Sequence, residues 1–305
     1  MADAGAQDRR APDGAAGRRD RQALTVPEIR SRKAATTEPL VVVTAYDAPG
    51  ARLADAAGVD VILVGDSVAN VVLGYEDTLQ VTVADMAHHV AAVARARPQP
   101  LVVADLPWMS YHTSVADTLA NAAVLVRAGA QAVKLEGGRR RLAMVEALVA
   151  AEIPVMGHLG LTPQSIHVTG GYRVQATEAE AARELQAEAR LLAEAGCFAI
   201  VLEAVPAELG GLVTDSVAVP TIGIGAGPRC DGQVLVLHDV LGLEDRLRPR
   251  FVRRYAELAA TAVDALRRYG ADVRAGRFPG PAESYHLAPE VARVLGLEPD
   301  TPAGR

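Results

Sequence analysis

Six side chains that are costly to bury stand at or beside the ends of short aliphatic runs in this 305-residue chain. Asp66 follows Val61–Val64, Asp105 follows Leu101–Ala104, and Lys134 and Glu136 flank Leu135. His158 follows Pro154–Gly157, and Glu203 follows Ala199–Leu202. A charged group at the end of an apolar strand needs a partner or a ligand. Asp66 and Asp105 are hard oxygen donors, and two carboxylates plus waters suit Mg²⁺, which keeps positions open for substrate oxygens. Soft ligands are absent, and one histidine is too few for a typical zinc site. Lys134 would neutralise a substrate carboxylate, and Glu203 could accept a proton. A metal, a cation and a free carboxylate together suit enolisation of a 2-oxo acid. Each residue also has a plainer reading. A lone Asp after a strand caps the next helix, Lys134 and Glu136 could form an ion pair, His158 could be a satisfied core imidazole, and Glu203 could cap a helix near Pro206. Capping alone does not readily explain so many consecutive strand ends.

These residues need elements that bring them together. Eight aliphatic runs recur: Leu40–Thr44, Val61–Val64, Leu101–Ala104, Ala132–Leu135, Pro154–Gly157, Ala199–Leu202, Pro220–Gly223 and Val234–Leu237. Helices are expected at 48–57, 82–96, 115–128, 139–151, 177–195 and 206–217, and a long one at 250–275. The 115–128 segment follows Thr113-Ser114, good N-cap residues, and stops at Gly129, a good C-cap. Alternation of buried strand and helix predicts a parallel sheet. Eight units predict an α/β fold of the closed (β/α)8 barrel type, whose strands all end at one mouth. The Gly223–Gly227 turn suits either an anion held by backbone N–H groups or close passage of the chain.

Half of the residues are hydrophobic, 4% are aromatic and the net charge is −6. This balance suits strands buried on both faces and disfavours a nucleic-acid surface. Cys197 reads as a small buried hydrophobe, Cys230 has no assigned role, and no CxxC spacing suggests a thiolate site. There is no apolar run of about 20 residues and no signal-peptide pattern, so no membrane partner is expected and the cytoplasm is the expected compartment. Residues 1–22 lack an apolar period and read as a disordered leader. The catalytic barrel is expected over 23–286 and a C-terminal tail over 287–305.

Ordered strings then carry a resemblance. They run Thr44-Ala45-Tyr46-Asp47, Val64-Gly65-Asp66-Ser67, Thr78-Leu79-Gln80-Val81-Thr82, Ala104-Asp105-Leu106-Pro107 and Lys134-Leu135-Glu136-Gly137-Gly138. They continue as Gly157-His158-Leu159-Gly160-Leu161-Thr162-Pro163-Gln164-Ser165, Gly170-Gly171-Tyr172-Arg173-Val174-Gln175, Leu202-Glu203-Ala204-Val205-Pro206 and Asp231-Gly232-Gln233. Over about residues 24–286 the chain closely resembles the ketopantoate hydroxymethyltransferases, which belong with the phosphoenolpyruvate mutase and isocitrate lyase barrels. The resemblance implies transfer of a one-carbon unit from 5,10-methylenetetrahydrofolate to 3-methyl-2-oxobutanoate, giving 2-dehydropantoate. It implies Asp66 and Asp105 as Mg²⁺ ligands, with Glu136 as a third acidic position acting through water. It implies Asp66, Ser67, Asp105 and Lys134 as oxo-acid contacts, Glu203 as proton acceptor, His158 as a neighbour of the site, and a homodecamer. Arg173 stands where the family often has Lys, Tyr75-Glu76 falls in a variable stretch, and the leader has no counterpart.

Two other readings compete. A metal-dependent carbon–carbon lyase of the same superfamily would carry a Lys-Lys-Cys-Gly type loop, and no such string occurs. A non-catalytic barrel would have lost one of Asp66, Asp105, Lys134 or Glu203, and all four are present.

Overall fold

The aliphatic runs pair side by side as eight parallel strands, β1 to β8 in order, and the last closes on the first. In the computed structural model, which describes residues 23–33, 38–171, 173–243 and 249–297, the elements are α1 Val26–Ser31, β1 Leu40–Thr44, α2 Ala48–Ala57, β2 Val61–Val64, α3 Val68–Val71, α4 Val83–Arg95, β3 Leu101–Asp105 and α5 Val115–Ala128. They continue as β4 Ala132–Glu136, α6 Leu142–Ala150, β5 Val155–Gly160, α7 Ile166–Thr169, α8 Ala179–Glu194, β6 Ala199–Glu203, α9 Ala207–Ser216, β7 Thr221–Ile224, β8 Gly232–Leu235, α10 Leu237–Leu241, α11 Leu258–Arg274 and α12 Pro289–Val294. The fold is the (β/α)8 barrel that the alternation predicts.

Side chains alternate across each strand, so every strand feeds two cores. One lies inside the barrel and includes Leu40, Val42, Val61, Leu63, Leu101 and Val103. Ile29 of α1 joins it, so α1 closes the end of the barrel opposite the strand termini. The other core lies between strands and helices, with Ile62, Val102 and Ile200 packed against Val90, Leu125 and Leu192. Helix ends follow local chemistry. Ser114 Oγ accepts from Asp117 N at 3.0 Å at the start of α5, and Thr82 with Asp85 forms a capping box at α4. Gly129 ends α5 at φ +118°, where a Cβ would sit 2.4 Å from that of Ala94.

Several boundaries differ from the sequence reading. β8 runs from Gly232 to Leu235, not 234 to 237, because its register is set by β1, with Leu40 beside Gly232 and Val43 beside Leu235. Leu237 instead opens α10. β5 runs on to Gly160, which puts His158 within the strand. Segment 139–151 divides into a 3-10 turn, Arg139–Arg141, and α6. The long helix begins at Leu258, eight residues later than expected at 250. The glycines of 223–227 are explained by close passage. A Cβ on Gly225 would meet the Phe251 ring at 2.7 Å, and one on Gly227 would meet the Ala207 Cβ at 2.5 Å. The leader, residues 1–22, and the tail beyond 297 lie outside the described residues.

One side of the wall is thin. Val41 and Gln233 are neighbours across the β1–β8 seam and point outward, and both are exposed. The helix α11 does not cover them, and none of its side chains is buried. It exposes Val263, Leu266, Tyr269 and Val273.

Candidate active site

The period of two places the site. Leu101 and Val103 line the barrel interior, and Asp105, two residues on, shares their side of β3. By the same count Ala132 leads to Lys134 and Glu136 on β4, Met156 to His158 on β5, and Val201 to Glu203 on β6. The register sets Asp105 beside Lys134 and Glu136 beside His158. Asp66 lies on the turn after β2, and its backbone N donates to Asp105 Oδ2 at 3.0 Å. Ser67 precedes α3, with its Oγ 2.8 Å from Tyr46 Oη at the end of β1. All of the site residues expected from sequence therefore converge at the mouth. Asp47 does not join them. Its Oδ1 accepts from Gly50 N at 2.7 Å and caps α2, which is the plainer reading of an Asp after a strand.

The cluster is a chain of close contacts out of water. Lys134 Nζ lies 3.0 Å from Asp105 Oδ1 and 3.2 Å from His158 Nδ1. An ammonium can only donate, so Nδ1 accepts, and a neutral ring then carries its proton on Nε2. That nitrogen lies 3.2 Å from Glu203 Oε2, close but poorly aligned for a hydrogen bond. Burial, then the neighbouring Lys134, holds His158 well below the ordinary imidazole range, so the ring is neutral. Burial alone would lower Lys134, but Asp105, Glu136 and Asp66 outweigh it and keep the ammonium charged. Glu203 is pushed up to about 7, first by burial, against the pull of Lys134 and with Asp105 adding to the rise. Asp66 is also pushed up to about 7, by burial and then by Asp105. Glu136 is driven well above the carboxylate range, first by burial and then by Asp66.

Four carboxylates thus face one lysine, and the raised values of Asp66, Glu136 and Glu203 express burial first and the neighbouring negative charges after it. A cation suits such a site. Among the described residues no three His, Cys, Asp or Glu side chains form a ready-made cage. This arrangement fits a metal that takes one or two carboxylates and completes its shell from water and substrate. Asp105 Oδ1 is buried, with the Lys134 ammonium 3.0 Å away and no well-aligned hydrogen bond, so a cation there would share this oxygen with the lysine. A cleft of about 310 Å³ opens beside the mouth, lined by Gly137, Gly138, Leu159, Gly160 and Thr162 and by α8.

Sequence reasoning missed Gln164 and Tyr111. Gln164 is buried and touches two of the carboxylates, with Nε2 donating to Asp66 Oδ2 at 2.8 Å and N donating to Glu136 Oε2 at 3.0 Å. Its signal was the Thr162-Pro163-Gln164-Ser165 string, but a neutral amide on a loop raises no alarm of burial cost. Tyr111 lies in the loop before α5, and no string quoted from the sequence includes it.

The ketopantoate hydroxymethyltransferase family profile matches residues 23–281. The chain belongs to that family. Membership accounts for the strings quoted from the sequence, and the lyase and non-catalytic readings are set aside. The chain is 55% identical over 270 residues to the 3-methyl-2-oxobutanoate hydroxymethyltransferase of Methylobacterium sp. (strain 4-46), covering 88% of this chain and 93% of that one. It is 53% identical to that of Syntrophobacter fumaroxidans, covering 90% of this chain and 98% of that one. Among solved structures, phosphonopyruvate hydrolase in complex with oxalate and Mg²⁺ superposes with a TM-score of 0.55 at 15% identity, over 90% of this chain and 95% of that one. The phosphoenolpyruvate phosphomutase of Streptomyces platensis subsp. rosaceus gives 0.55 at 17%, over 90% and 96%. At these identities the likeness is one of fold.

Proposed function

We propose that this ketopantoate hydroxymethyltransferase transfers a one-carbon unit from 5,10-methylenetetrahydrofolate to 3-methyl-2-oxobutanoate, releasing 2-dehydropantoate for pantothenate and coenzyme A synthesis, and that the oxo acid is enolised first. The observation that carries this reading is the neutral His158 set between Lys134 and Glu203, with Glu203 raised to about 7. A general base works best with a pKa near the operating pH. Asp66 and Asp105 would hold Mg²⁺, with Glu136 a third acidic position acting through water. When bound, the ion supplies Lewis-acid polarisation of the oxo group. Lys134 binds the substrate carboxylate and Ser67 donates to it. Glu203 takes the proton from the third carbon, and the neutral His158 packs between Glu203 and Lys134 and keeps the two charges apart. The cleft beside Glu136 gives the larger co-substrate an approach.

The same reading places the enzyme in the cytoplasm as a homodecamer. No described helix is long and apolar enough to cross a membrane, and the exposed apolar side chains of α11 favour association.

The test is proton exchange. With Mg²⁺ and no folate, the protein should exchange the proton on the third carbon of 3-methyl-2-oxobutanoate with deuterated water. Glu203→Gln should keep oxo-acid binding and lose exchange by about 10²–10⁴-fold, while His158→Asn loses less. Full exchange in Glu203→Gln with loss in His158→Asn would reverse the two roles. No exchange in the wild type would remove the enolisation-first order.

A further inference from the structure

Every carboxylate assigned to the cation has one oxygen tied back to the protein. Asp105 Oδ2 accepts from Asp66 N at 3.0 Å. Asp66 Oδ2 accepts from Gln164 Nε2 at 2.8 Å, and Glu136 Oε2 accepts from Gln164 N at 3.0 Å. One residue therefore restrains two of the three. Its amide is held one way round, because a flip would set Oε1 against Leu106 O, and a carbonyl can only accept. Glu136 N donates to Tyr111 Oη at 3.2 Å, and that hydroxyl donates to Gln164 Oε1 at 2.6 Å. With Oε1 fixed as the acceptor, Nε2 spends both of its hydrogens, one on Asp66 Oδ2 and one on Leu106 O at 3.0 Å. The path closes on itself, leaving from the Glu136 backbone and returning to the Glu136 carboxylate. All of its side chains are buried.

We propose that Gln164, locked by Tyr111, is the positioning residue of the cation site, turning Asp66 and Glu136 so that their second oxygens face the barrel mouth. The proposal rests on the reading that these carboxylates serve a divalent cation. It extends that reading to a residue with no charge and no place among the substrate contacts. Groups that hydrogen-bond to ligating carboxylates orient them, and their loss typically weakens metal binding about 10–100-fold. The network also explains why a glutamine is needed. Leucine or methionine could fill the space, and glutamate could accept from Tyr111. Only the primary amide accepts from Tyr111 while donating to a carboxylate and a carbonyl at once.

The experiment titrates Mn²⁺ alone into the full chain, followed by electron paramagnetic resonance, with no substrate present. Gln164→Met keeps length and apolar volume, and its backbone N–H to Glu136 persists. It should weaken Mn²⁺ binding about 10–100-fold and broaden the bound-ion spectrum, as a ligand shell of mixed geometry does. Tyr111→Phe frees the amide without removing it and should give a smaller loss in the same direction. The double variant should lose less than the two single losses summed, since Tyr111 reaches Asp66 only through the amide. Metal-free melting curves identify variants that are simply unfolded, and Tyr111→Phe remains the test if Gln164→Met is one of them. Wild-type Mn²⁺ affinity and spectrum in folded Gln164→Met or Tyr111→Phe would overturn the proposal alone, as would additive losses in the double variant. A wild type that binds no Mn²⁺ would remove the cation reading, and the proposal with it.

Discussion

Replacing Lys134 with methionine removes the one cation from a pocket of four carboxylates. At the 3.0 Å separation of Lys134 Nζ and Asp105 Oδ1, the pair attraction is about 5 kcal/mol at an effective dielectric constant of 20. Methionine restores the packing of the lysine stem and avoids the cost of burying an ammonium, but it leaves the carboxylates uncompensated. Breaking a buried pair in this way costs about 3–5 kcal/mol. The loss should depend on pH in a direction set by the carboxylates. In the wild type Asp66 and Glu203 are raised to about 7 from 3.8 and 4.5, and Lys134 opposes both rises. Removing it raises both further. A group whose folded pKa lies above its unfolded value binds protons more tightly when folded. Its contribution to stability is therefore greatest at low pH and is lost as pH rises through the folded pKa. Each further unit of rise adds about 1.4 kcal/mol of penalty per group above that pKa. With chelator present, Lys134→Met should lose more stability at pH 8 than at pH 6, the difference being about 1–3 kcal/mol. Urea unfolding of both proteins at the two pH values measures it. Equal losses at pH 6 and pH 8, or a loss at pH 8 under about 1 kcal/mol, would refute this account of the charge balance.

Two further outcomes are expected. Asp66→Asn and Asp105→Asn should each raise the Mg²⁺ concentration needed for activity by about 10-fold or more while the barrel stays folded, read by Mg²⁺ titration and circular dichroism; unchanged dependence in both would remove the metal assignment. Gly129→Ala should destabilise by about 1–3 kcal/mol, since φ is +118° and the new Cβ would sit 2.4 Å from that of Ala94, and a neutral change in denaturant unfolding would show that α4 and α5 part easily.

Asp105, Lys134, His158 and Glu203 were legible because each ends or interrupts an apolar run in step with inward-facing residues, and parity carries them to one mouth. Asp47 looked the same in sequence. Only the fold-back of its carboxylate onto Gly50 N separates a cap from a ligand, and that depends on one side-chain rotamer. The start of β8 was misread because Gly232 and Gln233 carry no strand signal of their own and owe their place to pairing with Leu40 and Val41. Gln164 and Tyr111 escaped because hydrogen-bond direction decides their role, and direction is invisible until both partners are placed.

The seam at Val41 and Gln233, exposed among the described residues, bears on how the molecule responds to dilution. A barrel with a strand facing water on its outer side is stabilised by whatever shields that strand, and in the proposed homodecamer that shield would be another copy of the chain. Folding and association then draw on the same apolar area. By mass action, the unfolding midpoint becomes a function of protein concentration, rising as copies associate and falling as they separate. A midpoint measured at one concentration would describe the assembly at that concentration and not a property of a single barrel.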